Sequence, residues 1–307
     1  MSADPVPEQG SPSGPSVVAI GGGHGLASSL RAARAYASDI VGIVSVGDDG
    51  GSSGRLRREL GLPAPGDLRR CLSALADDDS LLAASLEHRF DRGPLEGHPV
   101  GNLLIAGLAS ASGDFSAAIE EVARLVNAAG SIYPATVDAV TLLADSDAGP
   151  LRGQVTLERA TGIRNLRFDP PDPSAPRAAV EAILRADQVV IGPGSLFTSV
   201  LAAAVVPEIR AALLHTRAQR VFVANVANDK AEARGFDLPE HVEALSLHGV
   251  SLDAVIAVPG THRVTEIERV APGAEVVMSE VAGVDGWGHD PDRLGTELAR
   301  LAARVRP

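Results

Sequence analysis

Three short apolar runs rich in β-branched residues each stop at a glycine cluster. "SVVAI" runs into Gly21-Gly22-Gly23-His24-Gly25, "DIVGIVSV" runs into "GDDGGSSGRL", and "DQVVIG" runs into Pro193-Gly194-Ser195. No other feature limits the fold as tightly. An apolar run without polar alternation is a strand covered on both faces, and parallel sheets are built from such strands. Between the first two runs, "GLASSLRAARAYA" places Leu26, Leu30, Ala33 and Ala37 at helical spacing. Strand, helix and strand in about thirty residues make a βαβ unit with parallel strands.

The same alternation returns late in the chain. "PRAAVEAILRA", "VPEIRAALLHT" and "PEHVEALSLHG" read as helices. They are interleaved with the strands "DQVVIG", "QRVFVANV" and "LDAVIAV", with "AEVVMSEV" as a late edge strand and "DPDRLGTELARLAARV" as a closing helix. Between the two α/β stretches, Pro65 to Ala129 reads as four helices, and Ser131 to Phe168 as short β-rich runs forming a small antiparallel insertion. The expected fold is therefore a Rossmann-like, doubly wound, mostly parallel α/β sheet with inserted helices. Residues 1–15, rich in Pro, Ser and Gly, read as a flexible tail. Residues 16–307 read as one domain, with the β-rich insertion at about 131–175.

Composition narrows the function. The formal net charge of −12 opposes a basic stripe along nucleic acid, and 3% aromatics leave little for base stacking. Arginine supplies nearly all the positive charge; the only lysine is Lys230, so the lysine of a Walker A loop is missing. A single cysteine, Cys71, rules out an internal disulfide framework and a cysteine zinc cluster. The N-terminus lacks the basic and apolar regions of a signal peptide, and no apolar run is long enough to span a bilayer. The expected setting is cytoplasmic, with a small nucleotide as partner rather than nucleic acid or a membrane. A homo-oligomer is compatible with the sequence.

The glycine clusters carry the chemistry. Gly21, Gly22, Gly23 and Gly25 sit where a buried strand turns into a helix, and free amides and the helix dipole there favour an anion. The dinucleotide fingerprint G-x-G-x-x-G is not met, because from Gly23 the last glycine place holds Ser28. In "GDDGGSSGRL", Asp49 falls 24 residues after Gly25, near the spacing at which an acid takes ribose hydroxyls. Gly50, Gly51, Ser52 and Ser53 follow, and Arg55 is placed to charge-pair with phosphate. Two carboxylates beside an anion loop are compatible if one binds ribose, or if Mg²⁺ stands between carboxylate and phosphate. Gly192, Pro193, Gly194 and Ser195, with Thr198, offer either a second anion nest or a serine-capped helix start. Ser195 stands outside a G-x-S-x-G frame. Asp67 reads as a helix cap, His88 and His98 as turn histidines or two metal ligands without a third, and Asn102 as a polar contact at a helix start. Asn225 stands at a strand end before a charged loop.

Together, "GGGHGLASSLR", "VGDDGGSSGRLRRELGLPAPGDLRRCLSALA", "GHPVGNLLIAGL" and "VVIGPGSLFTSVL" resemble the gluconeogenesis factor family, the YvcK-like branch of the CofD-like superfamily, from about Val17 to Val258. The resemblance implies a Rossmann-like protein that binds nucleotide sugars such as UDP-N-acetylglucosamine and affects carbon-source use, cell shape and peptidoglycan synthesis. The superfamily's enzyme branch transfers a 2-phospholactyl group from a guanosine diphosphate carrier to a deazaflavin alcohol with Mg²⁺. Its active-site Asp pair maps onto Asp48 and Asp49, the positions expected to act in catalysis or to hold metal. This chain departs from the family pattern with His24 in place of Thr, Arg70 in place of Asn, and "NVANDKAEA" after the late strand. Asn225, Gly235, Phe236 and His241 are retained.

All three glycine loops are expected to meet in one crevice and hold a nucleotide diphosphate. A 2-phospholactate transferase is the alternative. An NAD-dependent dehydrogenase is disfavoured by the broken fingerprint.

Overall fold

The computed structural model describes residues 13–77, 79–227, 231–233, 236–260, 266–284 and 286–305. The sequence expectations at Asp78, Lys230, Gly235 and residues 1–12 lie outside these. Within the expected tail, Gly14 and Pro15 are tied down: the Ser38 hydroxyl donates to Gly14 O at 2.8 Å and the Ser38 amide to Pro15 O at 3.0 Å.

The chain opens as β1 (Ser16–Gly21), α1 (Gly23–Ala33) and β2 (Asp39–Val44). Five helices follow: α2 (Gly51–Leu60), α3 (Gly66–Leu75), α4 (Leu81–Glu87), α5 (Val100–Ser112) and α6 (Phe115–Leu125). Next come β3 (Ser131–Pro134), β4 (Thr141–Ser146), β5 (Gly149–Arg152), α7 (Gln154–Arg159) and β6 (Arg164–Asp169). The second α/β stretch holds α8 (Arg177–Arg185), β7 (Gln188–Ile191), a π-helical segment Leu196–Leu201 continuing as α9 (Ala202–Ala204), and α10 (Pro207–His215). It closes with β8 (Gln219–Val223), α11 (Leu238–Leu247), β9 (Ala254–Ala257), α12 (Ile267–Val270), β10 (Glu275–Met278) and α13 (Pro291–Val305).

Seven strands form one sheet in the order β10-β9-β8-β7-β1-β2-β3, and every pairing is parallel. Their side chains explain why: β7 and β9 are buried at every position, as a sheet covered on both faces requires. On one layer α1 packs beside α3 and α13; α8 and α9 pack on β1. The chain winds from β1 out to β3, then returns to β7 and winds the other way to β10. Right-handed crossovers in opposite directions put helices on opposite faces. The topological switch therefore lies between β1 and β7, where a doubly wound sheet opens a crevice beyond the strands' carboxyl ends.

Two elements differ from the sequence reading. The β-rich stretch from 131 splits: β3 joins the large sheet beside β2, and only β4, β5 and β6 make the separate antiparallel sheet, ordered β5-β4-β6. Within "LRGQVTLERA", the part expected to be strand after Gly153 is the helix α7. Among the described residues no single helix is both long and apolar enough to cross a membrane.

Candidate functional site

Register brings the glycine loops together. Gly21 pairs with Val44 across β1–β2, and Ile20 pairs with Ile191 across β1–β7, so the loops after β1, β2 and β7 leave the same rim. Beyond that rim lies a crevice of about 480 Å³. It is lined by Gly22, Gly23, His24 and Gly25, by Asp48 and Gly50, and by Pro193, Gly194, Ser195, Thr198 and Asn225. Gly21 and Gly192 lie beneath it, at the strand ends.

The two switch-point loops touch backbone to backbone. A Cβ at Gly25 would stand 2.2 Å from Pro193 O, a distance no side chain tolerates. Gly23 has φ +64° and nothing near its missing Cβ, so a left-handed turn leaves its backbone bare toward the crevice. No side chain caps α1 and no acid stands in its own first turn, but the Asp67 carboxylate of α3 lies beside that helix end, where a Cβ at Gly22 would stand 2.7 Å from its Oδ2. Asn225 clamps the opposite loop: its Oδ1 accepts from Gly194 N and its Nδ2 donates to Gly194 O, both at 2.9 Å. Ser195 does not cap the helix it precedes, which removes the serine-cap alternative. The Thr198 hydroxyl donates at 2.9 Å to Glu232, a buried carboxylate supplied by the divergent loop.

The adjacent carboxylates Asp48 and Asp49 have different fates. Asp49 points away from the crevice and accepts from the amides of Gln154 and Val155, both at 3.0 Å, at the start of α7. Each of its oxygens thus holds an amide of the β-rich insertion, and Asp49 is not among the residues that line the crevice where its metal or ribose role was expected. Asp48 lines the crevice, and its Oδ1 accepts from Gly50 N at 2.9 Å. Burial pushes its carboxyl above the usual range, a trend opposed by the Gly50 amide and Ser53 hydroxyl and reinforced by Asp67. The family's Mg²⁺ would therefore meet Asp48 and the nearby Asp67, a donor set that suits a cation keeping most of its shell from water and phosphate. No group of three or more metal-type side chains gathers among the described residues.

Other expectations are rearranged. Asp67 is not the cap of α3, which starts after Pro65; it pairs instead with Arg70 at 2.5 Å on the crevice wall. Arg55 turns from the phosphate region and donates to Glu96 O at 2.9 Å. Ser52 lies at 2.8 Å from His98 Nδ1 and receives Asn102 Nδ2 at 3.1 Å. His98 is thereby a hydrogen-bonded buried residue rather than half of a metal pair, and His88 packs edge-on to Phe90. The spacing G-x-S-x-G does occur once, at Gly50–Gly54 around Ser52. It is not a strained nucleophile elbow, because the only described non-glycine residues at positive φ are Asn127 and Asn165.

His24 projects into the crevice; burial and Arg70 lower its pKa, so it tends to be neutral. Sequence reasoning missed several lining residues: Asp67 and Arg70 in this role, Glu232, and Trp287 and His289 from the segment before α13. His289 Nε2 lies 3.0 Å from Ala224 O, and burial lowers its pKa to about 4. The family's "P-G-D-[LI]-R" motif was the available signal for Asp67 and Arg70. Nothing local in sequence announces Trp287 or His289.

Comparisons with known proteins agree with this architecture. Residues 17–284 match the family described as 2-phospho-L-lactate transferase CofD. A protein of Mycobacterium leprae named as a candidate gluconeogenesis factor is 43% identical, over 94% of this chain and 86% of its own length. A gluconeogenesis factor of Halalkalibacterium halodurans is 40% identical, over 80% of this chain and 77% of its own. The crystal structure of a UPF0052-family protein from Bacillus halodurans superimposes with TM-score 0.86 at 31% identity, covering 97% of this chain and 100% of that one. With most of its length matched at this level, the chain belongs to the CofD family and, within it, to the gluconeogenesis factors.

Proposed function

We propose that the crevice binds a nucleoside diphosphate ligand, a UDP-sugar such as UDP-N-acetylglucosamine, and that the protein acts as a binding regulator of carbon metabolism, cell shape and cell-wall synthesis. One observation carries this reading: the bare backbone of the β1 loop and the clamped β7 loop face each other across the topological switch point, over a cavity in the size range of small-molecule sites. The amides at the α1 start suit the diphosphate, and polar side chains along the rim, Asp48 among them, suit ribose or sugar hydroxyls. The carboxylates beside the glycine loop at residues 48–54 then pose no conflict, since one ligand offers both hydroxyls and phosphates.

The family match and the crevice-facing Asp48 also favour a second reading, phospholactyl transfer. In it the acceptor hydroxyl attacks the distal phosphorus, the bridging P–O bond breaks with loss of a nucleoside monophosphate, and the hydroxyl proton passes to Asp48. If Asp48 instead holds Mg²⁺, the cation would neutralise charge on the phosphates and the proton would pass to solvent.

Thermal shift with UDP-N-acetylglucosamine, GDP, NAD and Mg²⁺ separates the readings. A ligand at about 100 times its Kd adds about 2.7 kcal/mol of stability. A shift with UDP-sugar and no turnover supports the binding role. Mg²⁺-dependent product with a deazaflavin acceptor supports transfer instead. No shift with any nucleotide overturns both.

A further inference from the structure

A second, smaller cavity of about 200 Å³ lies behind Asp48, sharing Asp48, Gly50 and Arg70 with the crevice. We infer that it is a built subsite for a tetrahedral oxyanion of the phosphate class, seated on the N-terminus of α2 and reached by Arg69, Arg89 and Asn102. The inference does not depend on which nucleotide lies in the crevice.

The helix end is open. α2 runs ten residues from Gly51, with Gly50 preceding it, no side-chain cap and no acid in its first turn. Its first amides therefore have no intrahelical acceptor and point outward with the positive end of the dipole. A helix end alone would mean little, but two buried side chains on the same cavity have polar atoms without partners. Arg69 is 1% exposed; Glu87 takes its Nη1, and its Nε has no hydrogen-bond partner. Asn102 is 2% exposed; its Nδ2 donates to Ser52, and its Oδ1 has none. Leaving such groups unsatisfied in a folded protein is costly. An oxyanion seated between them and the helix end would satisfy the Arg69 donor directly.

Asn102 requires one further step. A half-turn of its amide presents Nδ2 to the oxyanion and Oδ1 to the Ser52 hydroxyl. Ser52 then donates to Asn102 and must receive from His98 Nδ1–H. The contact between Ser52 and His98, 2.8 Å long, permits either direction. Oxyanion binding thus reverses a hydrogen-bond chain and fixes the Nδ1–H tautomer of His98. Charge alone does not build the site, because Arg69 pairs with Glu87, Arg70 with Asp67, and Asp48 itself is a wall. The directed donors and Arg89, whose Nη1 donates to Gly97 O, make the difference.

The test is inorganic phosphate with the full chain, followed by ³¹P line broadening and by the ¹⁵N tautomer pattern of His98. Saturable binding is expected, with His98 moving to the Nδ1–H form. Asn102→Asp, which replaces the donor with a charge of the same shape, should weaken phosphate at least about tenfold and abolish the tautomer change. Arg89→Gln, at an exposed residue, should weaken it about threefold with the fold intact. If UDP-N-acetylglucosamine displaces the phosphate, the subsite takes a phosphoryl group of the crevice ligand; if both stay bound, it takes a separate oxyanion. No broadening at about 10 mM phosphate overturns the inference. So does wild-type affinity in both variants, or in Arg89→Gln alone should Asn102→Asp fail to fold.

Discussion

Residues 21–25 and 192–195 are held by backbone against backbone and by short neutral side chains at the centre of the sheet, whereas residues 45–54 are held by charged side chains reaching to and from distant segments. In the first region, missing Cβ atoms and the Asn225 clamp fix the geometry. In the second, Asp49 anchors α7, and Arg57 reaches back to Gly47 O at 3.3 Å, Asp48 O at 3.2 Å and Val140 O at 2.5 Å. Both are glycine- and serine-rich turns after a buried parallel strand. The difference teaches that the central pair is a floor made by the sheet, while the β2 loop is a wall suspended between the sheet and the β-rich insertion. A fault in the floor should remove the crevice. A fault in the wall should loosen the insertion, or change only the chemistry of the site, depending on which of two neighbouring carboxylates is touched.

The floor gives the largest expected effect. Gly25→Ala sets a Cβ against the Pro193 carbonyl, and one of the two loops must move. A loss of about 3–5 kcal/mol is expected by urea unfolding, together with loss of any nucleotide-induced thermal shift. Stability within about 1 kcal/mol of the parent would mean that the loops are not held by this contact. The wall's anchor comes next. Asp49→Ala strips two amides at the start of α7 of a charged acceptor and should cost about 2 kcal/mol. Hydrogen exchange should quicken in residues 149–159 while β1 and β7 stay protected. Uniform quickening across the sheet would erase the proposed separation of floor and wall.

The floor was legible from sequence and the wall was not, for a physical reason. Burial on both faces makes a parallel strand continuous in apolar residues, so β1, β2 and β7 to β9 can be read from composition, and the switch point follows from their order. The wall rests on contacts with no local signature. Asp49 meets amides that are 105 and 106 residues away in the chain. Val155 and Thr156 carry strand propensity, yet they lie in α7, whose open end Asp49 caps. Gly51-Ser52-Ser53-Gly54 reads as loop because its residues are poor helix formers, and the structure places them in the first turn of α2. β3 is four residues ending in proline, too short to assign to one sheet or the other from its pattern. Trp287 and His289 enter the crevice only because α13 packs against α1 and brings the preceding segment to the rim.

Asp48→Asn should have the smallest effect on stability and the most specific effect on binding. Its carboxylate is desolvated in the folded state, so the pKa is raised above its unfolded value of 3.8. An acid shifted this way reduces stability when ionised: the penalty is fully present above the folded pKa, and it fades as pH falls through that value toward 3.8. The amide keeps an acceptor for the Gly50 N–H and carries no charge. At neutral pH Asp48→Asn should therefore match or exceed the parent by up to about 1 kcal/mol, with the gain vanishing in acid. Ligand readouts should still respond: any Mg²⁺ dependence of nucleotide binding should disappear, and affinity for the anionic part of the ligand should rise, because a repelling charge has been removed. Urea unfolding at neutral and acidic pH, run beside Asp49→Ala, checks the sign. If Asp48→Asn were destabilising by as much as its neighbour, Asp48 would be a second structural anchor, and the ribose and metal roles proposed for it would lose their support.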